Sequence, residues 1–126
     1  MKSLFISTLV VIVLITSWII IYNFIDESVT DINSNLTIME AKVHDANWDS
    51  TSSIYKTIDK KWEETKKVLM LILDHEEMEK INLTLRKIEK FISIEDKSLT
   101  LGEIATLKYL FSHVEEKESL SLKNIF

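Results

Sequence analysis

The sequence predicts an all-α protein in which an N-terminal apolar helix continues into an up-and-down bundle of about four helices. The 126 residues include no proline and one glycine, Gly102. Sheets depend on those two residues for their turns, so their scarcity favours long helices. Residues 4–25 carry no charge, and beyond them apolar residues recur at alternating steps of three and four. That spacing is typical of one buried helix face.

The first element is the uncharged run. As a helix, its 22 residues would extend about 33 Å, enough to cross a hydrocarbon core of about 30 Å. Trp18, Tyr22 and Phe24 lie near its far end, where aromatic rings favour the headgroup boundary. A cleaved signal peptide has a shorter apolar core and ends in small residues, whereas the first alanine here is Ala41. We therefore expect an uncleaved anchor, rather than a signal peptide or a buried core helix.

Charges on either side of the anchor predict its orientation. Lys2 precedes it, and only acidic charges follow it until Lys42. Basic residues near a membrane helix favour the cytoplasmic side. The sequence thus predicts a single-pass protein of the cell membrane with a cytoplasmic stub (residues 1–3), an anchor (residues 4–25) and a helical extracytoplasmic domain (residues 26–126).

A heptad seam begins inside the anchor and continues past it. Its members are Tyr22, Ile25, Val29, Ile32, Leu36, Met39, Val43 and Ala46. Because the spacing is unbroken, we expect one continuous helix that extends about 20 residues beyond the membrane. The seam either packs within the bundle or pairs two copies, and Val29, Ile32, Leu36, Met39 and Val43 are its candidate interaction residues.

Three further apolar stripes follow, separated by polar segments at residues 47–53, at Asp74 and at residues 95–98. Asp, Asn, Ser and Thr cap helix starts; Asp74 stands at capping-box spacing from Glu77, and Ser98 or Thr100 is expected to cap the last helix. A bend at Asp74 is favoured over a straight helix. The stripes comprise Ile54, Ile58, Trp62, Thr65, Leu69 and Ile72, widened by Tyr55, Val68 and Leu71; Met78, Ile81, Leu85, Ile88 and Ile92, with Phe91 beside them; and Leu101, Ile104, Leu107, Phe111 and Val114.

Four stripes of similar length predict an up-and-down bundle, with a flatter pair of helical hairpins as the alternative. The alternating tail, residues 120–126, is left open between packing on the bundle, contact with the bilayer surface and fraying.

Composition excludes several function classes. Beyond Lys2 there are 14 basic and 20 acidic residues, a net charge of -6, which would repel nucleic acid. Only one basic residue is an arginine, Arg86, and there is no cysteine. Arginine clusters, disulfides, thiolate metal sites and cysteine nucleophiles are therefore excluded.

The histidines match no metal-site motif. His44, His75 and His113 fall on three predicted helices, but none has a glutamate three positions earlier, and the sequence from His75 to Glu79 ends in Glu where a zinc motif needs His. We expect structural or surface histidines and no cofactor. Without a phosphate loop or a nucleophile elbow, the chain is also not expected to be an enzyme.

Several short motifs occur together: Trp48 in a first helical turn, Lys60-Lys61-Trp62, Asp74-His75-Glu76 and the ending Ser121-Leu122-x-Asn124-Ile125-Phe126. With the N-terminal anchor, they resemble the bacterial family "domain of unknown function 4363", whose members are small membrane-anchored proteins. The resemblance points to Trp48, Trp62, Asp74, His75, Glu76, Asn124, Ile125 and Phe126 as motif residues and implies no catalytic residue. Its members are often encoded beside multi-pass membrane proteins of the YetF-like kind, which implies a membrane partner.

We therefore expect an interaction or accessory module that contacts the lipid bilayer through residues 4–25. Its partner would be a multi-pass membrane protein or a second copy of the chain. The alternative is a ligand-binding or sensory domain that signals through a partner, with a ligand space lined by Trp62 and His75. Trp48 and Trp62 could also form an aromatic platform, although tryptophan at helical spacing more often packs in a core.

Overall fold

The computed structural model describes the backbone of residues 1–125 and the side chains of residues 1–116. Over this part of the chain there are four helices and no strand: α1 (Lys2–His44), α2 (Trp48–Leu69), α3 (His75–Ser93) and α4 (Lys97–Ile125). Each helix packs against the next, and α4 packs against α1. This closed ring of helices joined by short turns is an up-and-down four-helix bundle. The predicted fold class is confirmed.

Helix α1 is continuous, as the seam predicted. It is 43 residues long, or about 64 Å, and only its second half belongs to the bundle. The core begins at Ile25, one residue before Asp26, the first charged residue after the apolar segment. The same helix therefore leaves the bundle as an apolar rod.

The core consists of the predicted stripes with few changes. Buried apolar side chains come from all four helices and from the connection after α2: Ile25, Val29, Ile32, Leu36, Met39, Val43, Tyr55, Ile58, Trp62, Leu69, Leu73, Met78, Ile81, Leu85, Ile88, Ile92, Ile104, Leu107, Phe111 and Val114. Two predicted members are wrong. Ala46 lies beyond the end of α1 and is exposed, and Leu71 lies beyond the end of α2 and is exposed.

Two turns join the helices at the end of the bundle that lies away from the apolar rod. These distal turns, residues 45–47 and 94–96, have the same construction. Each places one residue, Ala46 or Glu95, in the left-handed region at φ 53°. The backbone N–H groups of this residue and of the one after it donate to carbonyls of the helix's last turn at 2.9 to 3.0 Å, which is a Schellman motif.

Each distal turn ends in a residue that caps the next helix. Asn47 accepts a hydrogen bond from the backbone of Ser50 at 3.2 Å, and Asp96 accepts one from Leu99 at 2.9 Å. The expectation that Ser98 or Thr100 would cap α4 is wrong. The Thr100 hydroxyl instead donates to the carbonyl of Asp96, because the helix begins before Thr100 and the residue lies inside its first turn.

The third connection, residues 70–74, lies at the opposite end and is called the proximal turn. Here α2 ends at Leu69 and α3 begins at His75, so the chain bends. Asp74 accepts from the backbone of Glu77 at 3.0 Å, the forward half of the predicted capping box. Helix α4 then returns toward this end. Its backbone is helical to Ile125, whereas the tail's packing lies outside the described side chains.

Candidate functional site

The first half of α1 is a large apolar surface that no other described part of the chain covers. Of the described residues, only α1 is a helix long and apolar enough to cross a membrane, judged by length and composition. Its most apolar window has a mean hydropathy of 2.8 and is 0% buried. In a water-soluble chain such a surface would carry a large hydrophobic penalty.

Three hydroxyl groups in this segment are bonded within the helix. Ser7, Thr8 and Ser17 donate to backbone carbonyls four residues earlier, at 2.8 to 2.9 Å. A hydroxyl without an acceptor would be costly in hydrocarbon, whereas one bonded to its own backbone is tolerated. These three side chains can therefore face hydrocarbon.

The residues of the candidate interaction seam, in contrast, are buried inside the bundle. Val29, Ile32, Leu36, Met39 and Val43 are all fully buried between α1, α2 and α4. Of the two alternatives for the seam, the structure shows packing within one chain. In the folded bundle these side chains are not accessible to a partner.

The two motif tryptophans are not a pair. Trp48 is the first residue of α2 and is half-buried against the core, and Trp62 lies 14 positions later on the same helix, about 21 Å away. The Trp62 ring instead packs edge-to-face on Phe111, with 5.6 Å between centroids. Its indole N–H donates to Oδ1 of Asn82 at 2.7 Å. Trp62 is therefore a satisfied core residue that ties α2 to α3 and α4.

The Asp74-His75-Glu76 motif starts α3. Asp74 is the cap described above, and the side chains of His75 and Glu76 point to solvent, 90% and 81% exposed. His75 lies 3.9 Å from Glu79, and Glu76 lies 3.7 Å from Lys80. Exposed pairs of this kind contribute little stability. Of the remaining motif residues, the side chains of Asn124 and Ile125 and the whole of Phe126 lie outside the described part of the chain.

The three histidines do not converge. His44 ends α1 at the distal end, His75 begins α3 at the proximal end, and His113 lies on α4 with its Nε2 3.5 Å from Glu77. Within the described residues, no group of three or more His, Asp or Glu side chains is arranged to hold a metal ion.

Helices α2 and α3 are joined by a polar cluster that was not predicted from the sequence. The Arg86 guanidinium contacts Asp59 of α2 and, at 3.2 Å, Glu89 of its own helix. The buried Tyr55 hydroxyl lies 2.9 Å from the carbonyl oxygen of Leu85 and 3.1 Å from the Glu89 carboxylate, and donates toward these acceptors. Burial, reinforced by the charge of Asp59 and Glu89, raises the pKa of Tyr55 well above its ordinary value.

The sequence contains only part of the information needed to predict this cluster. Tyr55 and Asp59 are four apart on α2, and Arg86 and Glu89 are three apart on α3, so each pair shares a helix face. Only the register between the two helices brings the pairs together. The cluster fixes that register, and Arg86, the chain's one arginine, lies between two carboxylates.

Two grooves flank the contact between α2 and α3. The first, of about 270 Å³, is lined by Lys66, Met70, Leu73, His75, Met78, Glu79 and Asn82. The second, of about 380 Å³, is lined by Ser52, Tyr55, Lys56, Asp59, Glu89, Ile92 and Ser93. His75 borders the first groove, but Trp62 is fully buried and is not among the residues that line it, so these two residues do not line a common space.

Comparison with known proteins agrees with the resemblance drawn from the motifs. No curated protein and no solved structure matches the chain. One family model does, over residues 19–125, from the end of the apolar segment through the whole bundle. The chain therefore belongs to the family described as Domain of unknown function (DUF4363).

Proposed function

We propose that this protein is a membrane-anchored helical interaction module, which holds its bundle at the bilayer surface beside another membrane protein. One observation carries the proposal: a single unbroken helix has an uncovered apolar half and a half that is the core of a four-helix bundle. The apolar half needs hydrocarbon around it, and the bundle half needs water around its charged outer faces.

The orientation follows the charges on either side of the apolar segment. Lys2 lies at one end, whereas Asp26, Glu27 and Asp31 follow the other. This distribution supports a cytoplasmic N-terminus and an extracytoplasmic bundle.

An interaction role has more support than ligand binding in the bundle interior. A ligand between the four helices would have to occupy the space of Trp62 and Phe111, which are both fully buried and in contact. The proposed partner is a multi-pass membrane protein, because an anchored module meets other proteins within the same membrane. A partner would use the outer faces of the bundle, because the seam on α1 is occupied by the chain itself.

Anchoring and orientation can be tested on the full chain in cells. The protein should sediment with membranes and resist alkaline extraction. Because the chain has no cysteine, a single cysteine introduced by substitution is the only thiol that a maleimide can label, and its labelling shows on which side of the membrane it lies. Ile94→Cys, in a distal turn, should react with a membrane-impermeant maleimide on intact cells, and Ser3→Cys should react only after permeabilisation. Recovery of the chain in the soluble fraction, or the reverse labelling pattern, would contradict the proposal.

The partner can be tested by photo-crosslinking from the bundle surface. A photoreactive residue in place of Tyr109, which is 70% exposed on α4, should form an adduct with one multi-pass membrane protein in cells. The same residue in place of the buried Phe111 is the matched control and should give no adduct. Adducts only with a second copy of the chain would replace the proposed partner by self-association.

A further inference from the structure

The proximal turn is unusually apolar for an exposed connection. Between Lys67 and Asp74 the chain reads Val-Leu-Met-Leu-Ile-Leu, without a polar side chain. Leu73 turns inward to the core, but Met70 and Leu71 point outward and are 67% and 68% exposed. Two adjacent large apolar side chains at a turn are costly in water, where turns normally carry polar residues.

The distal turns of the same bundle provide an internal comparison. Both are capped by Asn or Asp, and they carry one exposed large apolar side chain between them, Ile94. The apolar character is therefore confined to the turn at the end where the apolar half of α1 leaves the bundle.

The register of α1 and α2 places the proximal turn beside the apolar segment. Lys61 of α2 lies 3.2 Å from Asp31 of α1, and the two helices are antiparallel because a short turn joins them. Nine residues further along α2 the chain reaches Met70, and nine residues back along α1 it reaches Tyr22, each about 13 Å from the ion pair. Met70 and Leu71 are thus level with the aromatic end of the apolar segment, one helix-packing distance of about 8–10 Å to the side.

We propose that Met70 and Leu71 insert into the bilayer surface, so that the proximal turn is a second, non-spanning membrane contact. This inference rests on the anchoring proposed above. Lipid is the occupant that the structure favours, because the exposed pair lies level with the exposed apolar side chains of Ile20 and Phe24 on α1, at the depth where the apolar segment would meet the headgroups. Lys67 precedes the pair on α2, and its long side chain can extend to headgroup phosphates from there.

A second contact changes how the bundle is held. With a single spanning helix, the bundle is free to tilt relative to the membrane plane. Insertion of the proximal turn limits that tilt, because the connected ends of α2 and α3 must then stay at the depth of the headgroups. The bundle would therefore stand upright on the membrane.

The test measures membrane depth at single cysteines in the full chain. Val11→Cys in the apolar segment, Leu71→Cys in the proximal turn, Leu83→Cys at mid-height on α3 and Ile94→Cys in a distal turn each carry an environment-sensitive fluorophore. All four replaced side chains are at least half exposed, so none disturbs the core. The labelled proteins are reconstituted into phosphatidylcholine vesicles, with or without a lipid that carries a nitroxide quencher near its headgroup or deep in its acyl chain.

We expect quenching at Val11→Cys, several-fold stronger quenching at Leu71→Cys by the shallow quencher than by the deep one, and none at Leu83→Cys or Ile94→Cys. If Val11→Cys is quenched but Leu71→Cys behaves like Ile94→Cys, the turn is in water and the inference is overturned while the anchor remains. Loss of quenching at every position would overturn the anchor as well. Quenching at Ile94→Cys would show a bundle lying flat on the membrane, which also contradicts the inference.

Discussion

Replacing Leu36 by alanine tests whether the seam packs within one chain or joins two copies of the chain. Leu36 lies near the middle of the bundle half of α1 and is fully buried. Leu→Ala changes at such sites cost about 2–5 kcal/mol, through lost transfer free energy and the cavity that remains. Since helices pack on both sides of Leu36, the cavity cannot readily collapse, and we expect a loss of about 3 kcal/mol. For a bundle of this size that lowers the melting temperature by roughly 12–24 °C.

The matched control is Ile38→Ala, two positions along the same helix, where the side chain is 50% exposed. Alanine is the better helix former, so the free energy of unfolding should change by about 0.5 kcal/mol or less. Both variants would be unfolded with urea in detergent micelles and followed by helical circular dichroism. Equal losses for the two variants would refute the reasoning. So would a stability that depends on protein concentration, because a core within one chain has no such dependence.

Three further variants test other parts of the bundle. Ala46→Gly should raise the free energy of unfolding by up to about 1 kcal/mol in the same denaturation assay, because glycine adopts the positive φ without the Cβ penalty; a loss would contradict the turn geometry. Tyr55→Phe should cost about 1 kcal/mol at neutral pH. Its raised pKa also predicts that the wild-type bundle loses stability once the pH exceeds about 10, where an unfolded tyrosine ionises but the buried one holds its proton. Tyr55→Phe should reduce that alkaline loss, while Tyr109→Phe, at an exposed site, should leave it unchanged; equal alkaline profiles for the two variants would count against the buried hydroxyl. Trp62→Phe should cost about 1–3 kcal/mol, since Asn82 loses its donor, and a neutral effect would show that this hydrogen bond is not formed.

The core was predictable because burial in a helical bundle follows local spacing. The buried positions of α1 repeat every three or four residues from Ile25 to Val43, and no information from the other helices is needed to find them. The stripes of α3 and α4 were predicted for the same reason. Spacing also predicted the unbroken passage from the apolar segment into the bundle.

Helix ends and contacts between helices were harder to predict from the sequence. The apolar periodicity continues through Leu71, so the second helix was predicted to extend that far. Without Gly or Pro, nothing in the local pattern shows that α2 ends at Leu69. Ala46 was assigned to the seam for the same reason, because its spacing does not show that α1 has already ended. The contact between Asp59 and Arg86 joins positions 27 apart, and its prediction requires the register of two antiparallel helices. Sequence spacing gives the inward face of each helix but not how far one helix is shifted along its neighbour.

On the function proposed here, the continuity of α1 couples the bundle to the membrane. A flexible linker would let an anchored domain sample every orientation, whereas α1 runs from Lys2 to His44 without a break and its bundle half is locked by the surrounding core. Rotation or tilt of the apolar half is therefore transmitted directly to α2, α3 and α4. A membrane anchor built this way would therefore set the orientation of the bundle as well as hold it at the bilayer. A membrane protein that packs against the apolar half of α1 would, on the function proposed here, also decide which face of the bundle it meets.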